Sequence, residues 1–355
     1  MEKNIILSAR DIVVQFRVRT RVLTAIRNVS LELYEGETLA IVGESGSGKS
    51  VLTKTFTGML EDNGKVASGK IIFENRDLLE IKNNREWESI RGAKIATVFQ
   101  DPMTSLNPIR TIGSQITEVI IKHQKKNKNE AREIAIELMN RVGISDAAKR
   151  FDEYPFQYSG GMRQRIVIAI ALACRPKILI CDEPTTALDV TIQAQIIALI
   201  KDLQIEFGFT TVYITHDLGV VASVADKVAV MYGGQIVEYG TVEEIFYNSK
   251  HPYTWSLLSS LPQLGIKGEH LYSIPGTPPS LYNKVVGDAF AQRNPYAMKI
   301  DFEEEPPFFQ VSETHFAKTW LLDPRAPKTE MPEEIRDLHD KISKKVAIGG
   351  EYHVK

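Results

Sequence analysis

A chain of 355 residues with 43% hydrophobic content can bury a full α/β core and still carry a second, smaller domain. Its 43 basic and 45 acidic residues leave a formal charge of -2, so composition offers no basic face for nucleic acid. The longest apolar run, Ile166 to Cys174, is too short for a bilayer span, and "MEKNIILSARD" lacks the apolar core and cleavage site of a signal peptide. The chain is therefore expected to be neither secreted nor membrane-spanning by itself. Its two cysteines, Cys174 and Cys181, lie in apolar surroundings and read as reduced thiols of a cytosolic core.

In chain order, the first clear strand is "TLAIV" at 38–42, which runs into "GESGSGKS" at 43–50 and then the helical "KSVLTKTFTGML". Gly43, Gly46 and Gly48 let the backbone curl so that successive N–H groups face inward, and the helix start adds positive potential at the same point. The whole stretch Gly43, Glu44, Ser45, Gly46, Ser47, Gly48, Lys49, Ser50, with Val51 after it, is the expected nucleotide-phosphate cradle. Lys49 is placed to bridge the β and γ phosphates, and the Ser50 hydroxyl to complete a Mg²⁺ shell. A glycine-rich turn without such a ligand is the alternative, but strand before and helix after are what the motif demands.

A second strand, "KIATVF" at 94–99, precedes a stretch from 101 to 160 in which strand signals vanish. There "IGSQITEVIIKHQ" and "NEAREIAIELMNRVG" space apolar residues by three and four, as in a helical subdomain inserted into a sheet domain. The charge run "KHQKKNKNE" at 122–130 reads as a solvated turn between helices. Strands return as "KILICD" at 177–182 and "TTVYIT" at 210–215, and the alternation implies a largely parallel sheet covered by helices. Asp182, at the end of its strand, can hold Mg²⁺, and Glu183 can face the γ-phosphate and polarise an attacking water. After about residue 250 the prolines of "HPYTWSLLSSLPQ", "IPGTPPSL" and "EEEPPFF" interrupt regular structure and mark a boundary.

"SGGMRQR" at 159–165, "CDEPTTALD" at 181–189 and "ITHD" at 214–217, taken in this order, resemble the ATP-binding subunits of ABC transporters over residues 5–250. The resemblance implies a P-loop ABC-type α/β nucleotide-binding domain over 1–250, its helical insert at about 101–175, and a small C-terminal extension over 251–355. It also implies that Ser159, Gly160 and Gly161 close over ATP held by the loop of a second subunit, and that Asp189 reaches across that dimer. By the same resemblance Gln100 senses the metal and the attacking water, His216 contacts the γ-phosphate, and Phe16 stacks on adenine. A buried core position is the alternative for Phe16.

Membrane spans, an interrupting coiled coil and a second ATPase unit are all missing from the sequence, which points to a separate ATPase subunit of a multi-chain transporter. A nucleic-acid ATPase, or an importer of dipeptides or metals, is the alternative. "QDPMTSLNP", "HPYTWSLLSSLP" and "IPGTPPSL" resemble the oligopeptide and dipeptide importer branch, and "YPFQYSGGMRQR" and "SETHFAKTWLL" its Gram-positive oligopeptide type. That resemblance implies a non-identical second ATPase, two membrane permeases, an external peptide-binding protein acting indirectly, no nucleic acid partner, and a place on the cytoplasmic face of the membrane. Many members of that branch ligate a [4Fe–4S] cluster through cysteines in the tail. Here Asp288, Asn294, Asp301 and Thr319 stand at those positions, and no iron–sulfur cluster is expected because hard oxygen donors do not replace thiolates.

Overall fold

The computed structural model describes residues 4–186, 188–261 and 273–336. Its strands are β1 (Ile5–Val18), β2 (Arg21–Tyr34), β3 (Thr38–Val42), β4 (Gly64–Phe73), β5 (Arg76–Asp77), β6 (Ile95–Val98), β7 (Ile178–Asp182), β8 (Thr210–Thr215), β9 (Lys227–Tyr232), β10 (Gln235–Thr241), β11 (Phe309–Gln310) and β12 (Phe316–Ala317). They form a four-stranded sheet in the order β2-β1-β4-β5 and an eight-stranded sheet in the order β11-β12-β10-β9-β3-β8-β7-β6. In the larger sheet β9, β3, β8, β7 and β6 run parallel to one another, while β9 pairs antiparallel with β10. Every residue of β3 and of β8 is buried, which is why both read as unbroken apolar or β-branched runs rather than alternating ones.

The antiparallel sheet is an addition to the parallel architecture expected from the sequence. β1 and β2 are each 14 residues long, but their register shifts between Ala9 and Ile12 and again between Val14 and Gln15. Bulges of this kind break the two-residue side-chain period, so the alternation that would announce these strands is lost.

The insert consists of helices Pro102–Ser105, Ile112–Gln124, Lys128–Arg141, Ala147–Arg150 and Gly160–Leu172. Thr111 caps the second through Ser114 N, and Asn127 and Glu130 close a capping box on the third. Between them Lys125 takes a left-handed conformation (φ 53°), so the turn is confined to residues 125–127, and the rest of the basic run expected as a turn at 122–130 belongs to the two helices. Ile116, Ile120, Met139 and Ile166 share one apolar cluster with Val98 of β6, Cys181 of β7 and Tyr213 of β8. The insert is thus fixed to the ends of the strands that carry the chemistry.

The C-terminal extension is joined just as closely. β12 pairs antiparallel with β10, and β11 with β12, so the tail lengthens the main sheet. Tyr253, Trp255, Leu258 and Phe290 lie in one cluster with Ala40 and Val42 of β3 and Val230 and Tyr232 of β9. The boundary expected near 250 falls between helices Val242–Tyr247 and Pro252–Ser259, within a continuous core. The parts of the expected extension at 262–272 and 337–355 lie outside the described residues.

Candidate functional site

The loop Gly43–Ser50 leaves β3 and enters helix Lys49–Phe56, which has Gly48 as N-cap with φ 104° and no side-chain cap. The first N–H groups of that helix have no intrahelical acceptor, so they and the helix dipole are open to an anion. A Cβ on Gly43 (φ 151°) would strike the Met231 carbonyl oxygen of β9, so only glycine fits there. Ser47 is buried and its hydroxyl has no partner, a polar atom that a bound phosphate would satisfy. Ser45 and Gly46 are exposed at the rim, while Val51 is half-buried against the core beneath the antiparallel sheet.

Lys49 is buried, with Nζ donating to the carbonyl oxygens of Gly43 (2.7 Å) and Glu44 (3.0 Å). Burial pushes its pKa down, against the pull of Glu183, Asp182 and Glu44. The Ser50 hydroxyl donates to Asp182 Oδ1 at 2.9 Å. Burial raises the Asp182 pKa, the Ser50 hydrogen bond opposes this, and Glu183 adds to it. A hydroxyl and a desolvated carboxylate side by side are hard oxygen donors of the kind Mg²⁺ takes together with phosphate oxygens, so the residues fit that ion.

Glu183 lies just beyond β7 in a left-handed conformation (φ 48°), held through its N–H on the Ile214 carbonyl of β8 at 3.0 Å. Its Oε2 accepts from Gln100 Nε2 (3.1 Å) and Thr186 Oγ1 (3.0 Å), and its Oε1 stands 3.3 Å from His216 Nδ1. Two expected site residues, Gln100 just beyond β6 and His216 just beyond β8, therefore converge on the carboxylate that follows β7. Thr186 is a further member that the sequence reading missed.

Other expected residues stand apart from this convergence. Ser159 caps its own helix through Met162 N. A Cβ on Gly161 would crowd Ile192 Cγ2 at 2.7 Å, and one on Gly160 would touch Leu188, so this segment packs on the start of helix Val190–Phe207. Asp189 caps that helix through Ile192 N at 3.0 Å. Phe16 is buried in the core of the antiparallel sheet, where its ring covers Gly64.

The extension also reaches the loop. The Glu44 N–H donates to the Tyr253 hydroxyl at 2.8 Å, and the Arg293 guanidinium grips the Glu44 carboxylate at 2.6 and 2.9 Å. No sequence pattern pointed to either residue.

Among the tail positions, Asp288 Oδ1 accepts from Phe290 N, Asn294 Oδ1 from Tyr296 N, Asp301 Oδ2 from Met298 N, and Thr319 Oγ1 from Leu321 N. All four are buried, and each ties down its own local turn. Among the described residues no group of three or more His, Cys, Asp or Glu is arranged to hold a metal ion. Cys174 and Cys181 are both free, the latter fully buried.

A parallel sheet with a glycine-rich loop after β3, a carboxylate pair at the end of β7 two strands away and a helical insert bearing Ser-Gly-Gly define an ATP-hydrolysing cassette. Residues 26–186 match the family described as ABC transporter, and residues 237–300 match the oligopeptide/dipeptide transporter C-terminal region. The chain belongs to the ABC transporter family of ATP-binding subunits. It is 72% identical over 347 residues to the oligopeptide transport ATP-binding protein AmiE of Streptococcus pneumoniae, covering 98% of each chain. It is 56% identical over 340 residues to the oligopeptide transport ATP-binding protein OppD of Bacillus subtilis, covering 95% of each. A dimeric ATP-binding cassette solved in a post-hydrolysis state with ADP and Pi superimposes with TM-score 0.59 at 28% identity, over 66% of this chain and 98% of that one. Among the described residues no helix is long and apolar enough to cross a membrane.

Proposed function

We propose that this chain is the ATPase subunit that powers import of oligopeptides through a pair of membrane permeases. The observation that carries the chemistry is the convergence of Gln100, Thr186 and His216 on Glu183, beside the Ser50–Asp182 pair and the loop lysine. The loop N–H groups and Lys49 take the β and γ phosphates of ATP. Glu183 accepts a proton from a water as its oxygen attacks the γ-phosphorus, and the bond to ADP breaks. Gln100 and His216 orient that water and the carboxylate, and His216 donates to a γ-phosphate oxygen. Ser50 and Asp182, with Gln100 as the further expected ligand, would hold Mg²⁺, which would supply charge neutralisation to the phosphates.

The reading extends to a composite site. Ser159, Gly160 and Gly161 sit at the N-terminus of helix Gly160–Leu172, where they would meet ATP held by a second, non-identical ATPase subunit, with Asp189 crossing the same interface. The relatives named as oligopeptide transport ATP-binding proteins support the substrate class, and the dimeric cassette with ADP and Pi supports the pairing. The insert exposes the apolar side chains of Met103, Ile109 and Phe156, which would suit contact with a permease at the cytoplasmic face. Phe16 as adenine platform requires the ring to turn from Gly64. A nucleic-acid ATPase finds no support in this geometry.

The test is co-purification with co-encoded neighbours, followed by labelled oligopeptide uptake. A second ATPase, two membrane proteins and uptake that Glu183→Gln abolishes are expected. Salt-sensitive DNA binding without such partners overturns the reading.

A further inference from the structure

We infer that Arg293 is a positioning residue of the nucleotide site, through which the C-terminal extension holds the phosphate loop in its anion-binding form. Arg293 is buried, yet each of its N–H groups has an acceptor. Nε donates to the Pro275 carbonyl at 2.8 Å and Nη2 to the Ile274 carbonyl at 3.2 Å, both in the extension. Nη1 donates to the Tyr232 hydroxyl of β9 at 3.2 Å. The remaining two donors take both oxygens of Glu44, the second residue of the loop, in the forked geometry that fixes a carboxylate in orientation as well as in place.

The fork rests on a rigid base. The guanidinium carbon lies 5.7 Å from the Tyr232 ring centroid and 5.9 Å from that of Phe290. Tyr232, Tyr253 and Phe290 pack on one another with centroids 4.5 to 5.3 Å apart, and all three are fully buried or nearly so. Tyr253 also accepts the Glu44 N–H, so the backbone and the side chain of Glu44 are both held by residues beyond position 250.

Two consequences for the loop follow. The carbonyl oxygens of Gly43 and Glu44 anchor the Lys49 ammonium, so the orientation of Glu44 sets where that charge waits. Glu44 also brings a carboxylate to a loop whose ligand is polyanionic. Arg293 neutralises it and keeps it turned toward the extension and away from the phosphate cradle. Without Arg293 the freed carboxylate repels the phosphates and unseats the lysine anchor. Because coupling is reciprocal, nucleotide in the loop in turn stabilises the packed extension.

The inference rests on ATP occupying the Gly43–Ser50 loop, and Lys49→Ala is the separate control for that. ATP binding by the full chain is measured for Arg293→Met, Arg293→Lys, Glu44→Gln and the Arg293→Met/Glu44→Gln double variant. Arg293→Met is expected to weaken binding by about tenfold through the uncompensated charge, and the double variant to return to within about threefold of wild type. Arg293→Lys keeps the charge but not the fork and is expected to fall between, and it carries the test if the Met variant does not fold. Wild-type affinity in the Arg293 variants, or a double variant whose loss is the product of the single losses, overturns the inference. Undiminished binding in Lys49→Ala would instead sink the assignment of the loop.

Discussion

At the scale of single residues, the proposed mechanism divides the work between Lys49, for binding, and Glu183, for chemistry. Lys49 is a buried cation whose partners are carbonyl oxygens of its own loop, an arrangement that leaves its charge free for phosphate oxygens. Lys49→Ala is therefore expected to abolish detectable ATP binding in an equilibrium assay. Glu183 gathers Gln100, Thr186 and His216 around its carboxylate, as a base aimed at a water would. Glu183→Gln keeps size and hydrogen bonding but loses proton affinity. It is expected to bind ATP normally and to hydrolyse it slower by about 10²–10⁴. Wild-type turnover in that variant would assign the proton to another group. Lys49 and Glu183 were legible in the sequence because a cradle and a strand end announce themselves within a few positions, whereas Gln100 and His216 entered only through the family resemblance. Arg293 was not legible, since it meets Glu44 from 249 positions away and neither residue type is unusual.

At the scale of elements, the extension's helix and turns carry buried polar groups whose titration can be followed. His251 caps helix Pro252–Ser259 through its Nδ1, is fully buried, and has its pKa pushed down to about 3 by that burial. The folded chain keeps it neutral while the unfolded chain protonates it near 6.5, so its contribution is whole above that pH and is lost as pH falls toward about 3. Asp288 runs the other way. Burial raises its pKa from 3.8 to about 7, so between those values the folded chain holds a proton that the unfolded chain has released, and stability falls as pH rises. Asp288→Asn keeps the bond from Phe290 N and removes the charge. It is expected to raise the unfolding midpoint by roughly a few degrees at pH 8 and by less at pH 5. An equal shift at both pH values would show that Asp288 does not titrate in this way.

The same turns bear on iron. Asp288, Asn294, Asp301 and Thr319 each spend a side-chain oxygen on a neighbouring N–H, which stabilises the turns without a metal. Anaerobically purified protein is expected to lack stoichiometric iron and sulfide-dependent visible absorbance. Their presence would demand thiolates, and burial raises the pKa of both Cys174 and Cys181 away from that form. Element by element, the two helices Ile112–Gln124 and Lys128–Arg141 of the insert were legible from their period, but β11 and β12 were not. Two-residue strands carry no period, and they form because β10 offers an open edge.

At the scale of the whole molecule, the proposed function assigns to one chain two parts of a composite nucleotide site. The loop, Asp182 and Glu183 meet at the strand ends, whereas Ser159 is bonded within its own helix and Gly161 is packed on Ile192. A second subunit placed head to tail would bring the Ser-Gly-Gly helix start, with its unsatisfied N–H groups, to the γ-phosphate. Hydrolysis by the isolated chain is then expected to be slow and to rise more than linearly with protein concentration, or on addition of the partner ATPase. A charge supplied in trans is worth about 10³–10⁵ in rate in other P-loop systems, and a neutral serine with helix N–H groups should give less. Ser159→Arg puts a long cation where the partner's nucleotide would enter. It should leave ATP binding by the single chain unchanged while blocking the closed pair in Glu183→Gln protein, read by gel filtration with ATP. A lone chain whose specific activity is independent of concentration and equals that of the assembled complex would show that each site is complete within one subunit.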